Sequence, residues 1–170
     1  MHRMFKKNEL YLLTGSNIEP RMDYLQKANA LIEDQIGEIV QQSGIYESEP
    51  WGFASPGKFL NQVIQVMTEH PPREVLDRII QIEQGMGRVR NDEGYDSRTI
   101  DVDILYFGDQ CLNLPELVVP HPRLHLRRFT LMPLAEIAGE RVHPVLKKKN
   151  SELLELCTDH SSVMKFRESN

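Results

Sequence analysis

Hydrophobic and polar positions along the first part of the chain follow a strand–helix–strand pattern. The apolar run at 10–13 leads into the turn residues Gly-Ser-Asn at 15–17, which predicts a strand followed by a tight loop. From 22 to 36 apolar residues recur at helical spacing and predict an amphipathic helix. The stretch 38–50 is typical of an extended segment with an irregularity at Gly44.

The next part of the chain continues this order. Residues 59–67 predict a strand, and 71–87 predict a helix that begins with prolines and ends in glycine. The segment 97–108 predicts a further strand. Two long polar connections remain, at 49–58 and 88–98, and connections of this length in a compact domain are usually functional.

The predicted order is therefore βαββαβ, which indicates an α+β fold, a ferredoxin-like sandwich. We expect a C-terminal extension of short helices or strands after it, and one domain over 9–156. The termini, 1–8 and 157–170, are expected to be peripheral tails, the second of them frayed or loosely docked.

Composition excludes several classes of protein. The chain has 170 residues, of which 40% are hydrophobic and 26% charged, enough for one soluble domain with a core. Its formal net charge of −5 gives no reason to expect nucleic-acid binding. Two cysteines are too few for a disulfide framework, and no segment is typical of a signal peptide or membrane span. We expect a cytoplasmic protein that binds neither nucleic acid nor membrane.

Two acidic residues, Asp101 and Asp103, interrupt an otherwise apolar predicted strand. Because side chains alternate along a strand, both should project from one face, with Cα atoms roughly 6.5–7 Å apart. Two carboxylates at this spacing can bind Mg²⁺ together with phosphate oxygens. The alternative is an exposed strand face that carries acidic residues, although Arg98 nearby strengthens the interpretation as a magnesium–phosphate site.

Glu83 falls on the apolar stripe that Leu76, Ile79 and Ile80 define on the second predicted helix. It also lies near the helix C-terminus, where the macrodipole disfavours an acid. The side chain therefore needs an arginine or a polar ligand as its partner, unless the stripe rotates and Glu83 meets water.

Basic residues cluster in two places. The second loop is bracketed by Arg88, Arg90 and Arg98. Their guanidinium groups can form paired hydrogen bonds to phosphate oxygens. The alternative is that they form surface salt bridges within a solvated loop. The segment 120–129 carries histidines and arginines without an acid, which in an acidic protein indicates an anion site.

An aromatic and an amide side chain, Phe59 and Asn61, share one strand face. This pair suits a flat heterocycle that forms hydrogen bonds, with Phe129 as a candidate for a second aromatic contact, although a phenylalanine at position 59 is more often simply part of the core. The phosphate-loop pattern G-x-x-x-x-G-K-[ST] is absent from the sequence, so a nucleotide would be bound by other means.

Taken together, these segments resemble the 6-hydroxymethyl-7,8-dihydropterin pyrophosphokinases of folate biosynthesis. The resemblance runs in order from about residue 9 to 145. It rests on "GSN" at 15–17, "SEPWG" at 48–52, "FLNQV" at 59–63, "EQGMGRVR" at 83–90, "SRTIDVDILYFG" at 97–108 and "VPHPRLHLRRFTLMPL" at 119–134.

The resemblance implies a ferredoxin-like core and transfer of pyrophosphate from ATP to the hydroxymethyl oxygen of the pterin, leaving AMP. It implies that Asp101 and Asp103 bind two Mg²⁺ ions and that Arg88 and Arg98 assist the transfer. The implied ATP-site residues are Glu83, Arg88, Arg90, Arg98, Ile104, His121 and Arg127. The implied pterin-site residues are Ser48, Glu49, Pro50, Trp51, Gly52, Phe59, Asn61 and Phe129. We expect a monomer with these two substrates.

Four departures from the family pattern accompany these matches. Asp96-Ser97 replaces a frequent Gly-Pro, Tyr95 stands where some members have tryptophan, Asn91 where some have lysine, and Pro122 where others have tyrosine. The metal ligands are unaffected, so we expect altered rates or ATP affinity and the same reaction.

Two rival functions differ in the residues they require. A ferredoxin-like RNA-binding module would need an RNP-type aromatic motif and a basic sheet face, and the sequence has no such motif. A metal-dependent nucleotidyltransferase or phosphohydrolase would explain the aspartates and arginines but not Phe59, Asn61 and Phe129.

Overall fold

The computed structural model describes residues 6–49, 57–87 and 99–167 of the chain. The elements of this part are, in order, β1 (Asn8–Ser16), α1 (Arg21–Gln35), β2 (Glu38–Gln42), β3 (Tyr46–Ser48), β4 (Phe59–Thr68), α2 (Pro72–Gly85), β5 (Asp101–Phe107), β6 (Leu112–Asn113), β7 (Val118–Val119), a 3₁₀ turn (Leu124–Leu126), α3 (Arg128–Ala138), α4 (Asn150–Leu156) and β8 (Val163–Lys165).

Within these ranges, six strands form one sheet in the order β5-β1-β4-β3-β8, with β2 also paired to β4. All of these pairings are antiparallel. Strands β2 and β3 pair with β4 one after the other, on either side of Gly44, so the predicted irregular extended segment is confirmed. The ferredoxin-like α+β fold predicted from the sequence is confirmed as well.

The two faces of the sheet carry different cores because strand side chains alternate. Helices α1 and α2 pack on the first face, in a cluster that includes Leu12, Ile64 and Ile104. Helices α3 and α4 pack on the second face, against a cluster that includes Leu13 and Val63. The C-terminal extension thus covers part of the face that the βαββαβ unit leaves without helices.

Helix α2 buries a slightly different stripe from the predicted one. Its buried residues are Val75, Ile79, Ile82 and Glu83, whereas Ile80 is 41% exposed. The assignment of Ile80 to the buried stripe was therefore wrong, and the buried position of Glu83 is confirmed. In the part of the chain that the structure describes, no helix is long and apolar enough to cross a membrane.

The chain after Leu156 differs from the frayed or loosely docked tail that we expected. Residues Val163–Lys165 form β8, which extends the main sheet beside β3. Val163 is buried, and the backbone N–H of Phe166 donates to the carbonyl oxygen of Ile45 at 2.8 Å. Polar composition concealed this strand because it is short and at the sheet edge, where alternate residues face water.

Candidate active site

The two aspartates lie on β5 and face away from the first core. Val102 and Ile104 pack into the first cluster, and Asp101 and Asp103 alternate with them along the strand as partly exposed residues. The prediction that both carboxylates share one face is therefore confirmed. A cluster of three or more histidine, cysteine, aspartate or glutamate side chains able to hold a metal is absent from the described residues.

Glu83 is held against the strand that carries the aspartates. The residue is 7% exposed, and its side-chain Oε2 accepts a hydrogen bond from the backbone N–H of Val102 at 3.0 Å. Val102 lies between Asp101 and Asp103 on β5, which within the described residues of the main sheet is an edge strand paired with β1 alone. Glu83 thus binds the backbone of β5 at the acidic pair.

A row of residues crosses the second face of the sheet beside Asp101. The register pairs Asp101 with Gly15, Gly15 with Asn61, and Asn61 with Tyr46. Neighbouring Cα atoms across antiparallel strands are about 5 Å apart, so Asp101 and Asn61 lie about 10 Å from each other. The sheet therefore brings the acidic pair and the amide onto one surface.

Gly15 occupies the middle of this row and contributes no side chain to it. A Cβ atom there would lie 3.2 Å from Asn61 Oδ1 and 3.7 Å from a ring carbon of Phe59. The sequence pattern placed Gly15 in a turn, which is wrong, because β1 continues to Ser16. Only the cross-strand register identifies Gly15 as a position where a side chain would crowd Asn61.

The amide of Asn61 is fixed by the neighbouring strand. Asn61 and Ser48 are 3% and 2% exposed, and Asn61 Nδ2 donates to Ser48 Oγ at 2.7 Å. Phe59 lies opposite Ser48 at the start of β4. Glu49 is exposed and pairs with Lys58 at 3.6 Å. Ser48, Phe59 and Asn61 are therefore brought together as the sequence suggested.

His121 lies beside β5 and near Asp101, and Arg127 lies near His121. The backbone N–H of His121 donates to the carbonyl oxygen of Leu105 at 2.9 Å. Burial and the neighbouring Arg127 lower the pKa of His121 to about 4, although Asp101 acts in the opposite direction. The imidazole is therefore neutral near pH 7, and His121, Arg127 and Asp101 are electrostatic neighbours.

Arg127 and Phe129 flank the start of α3. The Arg127 guanidinium carbon lies 5.6 Å from the centre of the Phe129 ring, within the range of a cation–π contact. Phe129 is partly buried and packs against the second core cluster. Ile104, by contrast, points its side chain into the first core, so only its backbone lies near the aspartates' face.

Six of the residues implied by the family resemblance lie outside the described residues. These are Pro50, Trp51, Gly52, Arg88, Arg90 and Arg98, and the departures Asn91, Tyr95, Asp96 and Ser97 lie there as well. Their assignments remain predictions. Among the described residues, β3 ends at the same end of the sheet where β4 and β5 begin.

Comparison with known proteins gives the same family along most of the chain. The sequence model described as 7,8-dihydro-6-hydroxymethylpterin-pyrophosphokinase (HPPK) matches residues 11–139. A 2-amino-4-hydroxy-6-hydroxymethyldihydropteridine pyrophosphokinase of Aquifex aeolicus is 38% identical over 143 residues, which cover 84% of this chain and 88% of the relative. The protein of the same name from Bacillus subtilis is 40% identical over 134 residues, covering 78% and 80%.

A solved structure supports the fold. A mutant HPPK-DHPS chain of Plasmodium falciparum superimposes with a TM-score of 0.76 at 18% identity, and the match covers 91% of this chain. This chain spans 44% of the length of that larger protein.

Proposed function

The chain belongs to the 7,8-dihydro-6-hydroxymethylpterin-pyrophosphokinase family, and from this premise we propose how its own residues carry out the reaction. The enzyme transfers pyrophosphate from ATP to 6-hydroxymethyl-7,8-dihydropterin in folate synthesis. The products are the pterin diphosphate and AMP. The observation that carries the residue assignment is the row from Asp101 through Gly15 to Asn61 on one sheet face.

The pterin binds at the Asn61 end of this row. Its flat ring lies between the aromatic side chains of Phe59 and Phe129, and the amide of Asn61 reads its polar edge. Because Ser48 Oγ already accepts one N–H of Asn61 at 2.7 Å, the orientation of the amide is set before the substrate arrives. Ser48 to Gly52, including Glu49, Pro50 and Trp51, complete the pocket with backbone groups.

Magnesium binds at the other end of the row. Two carboxylates on one strand face, at about 6.5–7 Å between Cα atoms, are the hard oxygen donors that Mg²⁺ prefers, so the residues fit the ion. Asp101 and Asp103 would hold it, with two ions as the expected number. When bound, Mg²⁺ neutralises charge on the triphosphate oxygens. Asp101 lies about two strand widths from Asn61, the residue that would read the pterin.

The remaining ATP contacts come from both sides of β5. His121, neutral near pH 7 because burial lowers its pKa to about 4, can exchange hydrogen bonds with the nucleotide without adding charge. Arg127 supplies a permanent positive charge, and Glu83 holds the strand backbone. Arg88, Arg90 and Arg98 complete the set, and the two outer ones stabilise charge that develops during transfer. Ile104 contributes its backbone.

The test of the reaction is AMP release from ATP and Mg²⁺, measured with and without 6-hydroxymethyl-7,8-dihydropterin. AMP that appears only with the pterin, and not in EDTA, supports both the pyrophosphokinase and its metal requirement. Pyrophosphate release instead of AMP would indicate a nucleotidyltransferase and would refute the proposal.

The test of the metal assignment is a pair of neutral substitutions, Asp101→Asn and Asp103→Asn. Each removes one negative donor, and we expect AMP formation to fall at least about 100-fold while pterin binding is retained. Asp109→Asn, a change at an exposed aspartate just beyond the same strand, is the control and should leave the rate unchanged. Mg²⁺-dependent turnover at the wild-type rate in either variant would contradict the assignment.

A further inference from the structure

The segment 157–167 lies beyond residue 139, where the match to the family sequence model ends. It nevertheless crosses from one core to the other. Cys157 belongs to the second cluster, Val163 is buried in β8, and Phe166 packs against the first cluster. This C-terminal segment therefore wraps around the edge of the sheet next to β3.

Asp159, in this segment, caps helix α3. Its Oδ2 accepts the backbone N–H of Arg128, the first residue of the helix, at 3.0 Å, and its Oδ1 accepts that of Ser161 at 3.0 Å. The residue that precedes the helix, Arg127, forms no side-chain cap of its own. These hydrogen bonds outweigh burial and lower the pKa of Asp159, so the carboxylate is ionised and interacts favourably with the helix dipole.

The same segment contacts α3 again two turns later, through Lys165. Lys165 Nζ lies 3.2 Å from Oε1 of Glu136. The same carboxylate accepts a hydrogen bond from the Tyr46 hydroxyl through Oε1 at 2.6 Å and one from the Gly44 N–H through Oε2 at 2.7 Å. The helix is thereby attached to β3 and β8 along its length. Asp159 precedes β8 on the side of Ser48, so the start of α3 lies at the sheet end where the pterin pocket is placed.

From these contacts we propose that Asp159 is a positioning residue for the pterin site. It fixes the first turn of α3, and therefore the Phe129 ring, relative to Phe59 and Asn61 on the sheet. The inference rests on the proposed function, because it assigns Phe129 to the pterin pocket. A segment outside the family match thus sets the spacing between the two walls of the pocket.

The test compares Asp159→Ala with Asp159→Asn. Loss of an N-cap corresponds to about a fivefold change in an equilibrium constant, so the alanine variant should raise the KM for the pterin about fivefold. The kcat should stay within about twofold, and amide hydrogen exchange in the first turn of α3 should accelerate. Because asparagine caps a helix as well as aspartate does, Asp159→Asn should keep both the pterin KM and the amide exchange rate near their wild-type values.

The matched control is Glu140→Ala, which removes an exposed ion pair with Lys149 (2.7 Å) just after α3. It should change neither the pterin KM nor the exchange rate. An alanine variant with wild-type pterin KM, or an asparagine variant as impaired as alanine, would overturn the role of Asp159. Failure of the proposed function is seen separately, as a wild-type chain that forms no AMP in the presence of the pterin.

Discussion

Glu83 offers a quantitative test of how the acidic strand is held in place. The substitution Glu83→Ala removes the carboxylate that accepts the Val102 N–H at 3.0 Å. That N–H belongs to the residue between the two aspartates and points away from β1, so no strand partner replaces the lost acceptor. We expect lower stability and a lower rate of AMP formation from this one change.

The expected loss follows from the burial of both groups. Glu83 is 7% exposed and Val102 is 6% exposed, so water reaches the N–H poorly. A hydrogen bond to a charged acceptor contributes about 1.5–3 kcal/mol, and the unpaired N–H left behind carries a penalty of similar size. We therefore expect the free energy of unfolding to fall by about 2–3 kcal/mol, and Tm to fall by about 4–12 °C in a domain of this length.

The assay is urea denaturation of three variants, with AMP formation measured well below their unfolding temperatures. Glu83→Gln retains a neutral acceptor oxygen and should lose only about 1 kcal/mol. Glu74→Ala is the control on the same helix, because Glu74 forms a surface ion pair with Arg78 at 3.0 Å and such pairs contribute little to stability. A Glu83→Ala protein within about 0.5 kcal/mol of wild type would show that the buried hydrogen bond does not hold β5.

The remaining predictions concern the centre of the site and the pH dependence of stability. Gly15→Ala places a Cβ atom 3.2 Å from Asn61 Oδ1. Because overpacking costs about 1–3 kcal/mol, steady-state kinetics should show a pterin KM that is at least about fivefold higher. An unchanged KM would contradict the crowding. Burial lowers the pKa of His143, whose Nδ1 accepts the N–H groups of Val145 (3.2 Å) and Leu146 (3.0 Å). The His143 imidazole therefore binds a proton more readily in the unfolded chain than in the folded one. The stability that comes from burying the neutral imidazole is complete above about pH 6.5 and is lost as the pH falls towards the pKa of the folded state. Urea denaturation between pH 5 and 7 should show that the free energy of unfolding depends less on pH for His143→Asn than for wild type. Equal slopes would contradict the contribution of His143.

The sequence alone determined those features that depend on local periodicity. The period of two places Asp101 and Asp103 on one side of β5 and Val102 on the other, whatever the strand packs against. Helical spacing likewise buries Glu83 on the stripe of Ile79, although an ambiguity of one residue put Ile80 there as well. The βαββαβ order follows from the same periodicities, together with the proline and glycine positions.

Tertiary structure decided every feature that joins residues far apart in the chain. Gly15 could be distinguished from a turn glycine only by the register that places it between Asp101 and Asn61. One partner of Glu83 is a backbone N–H, which has no sequence signature, and Asp159 caps a helix that begins 31 residues earlier. The physical reason is that periodicity reports which face of an element is buried, whereas register and capping depend on which elements meet and on how far one slides along the other.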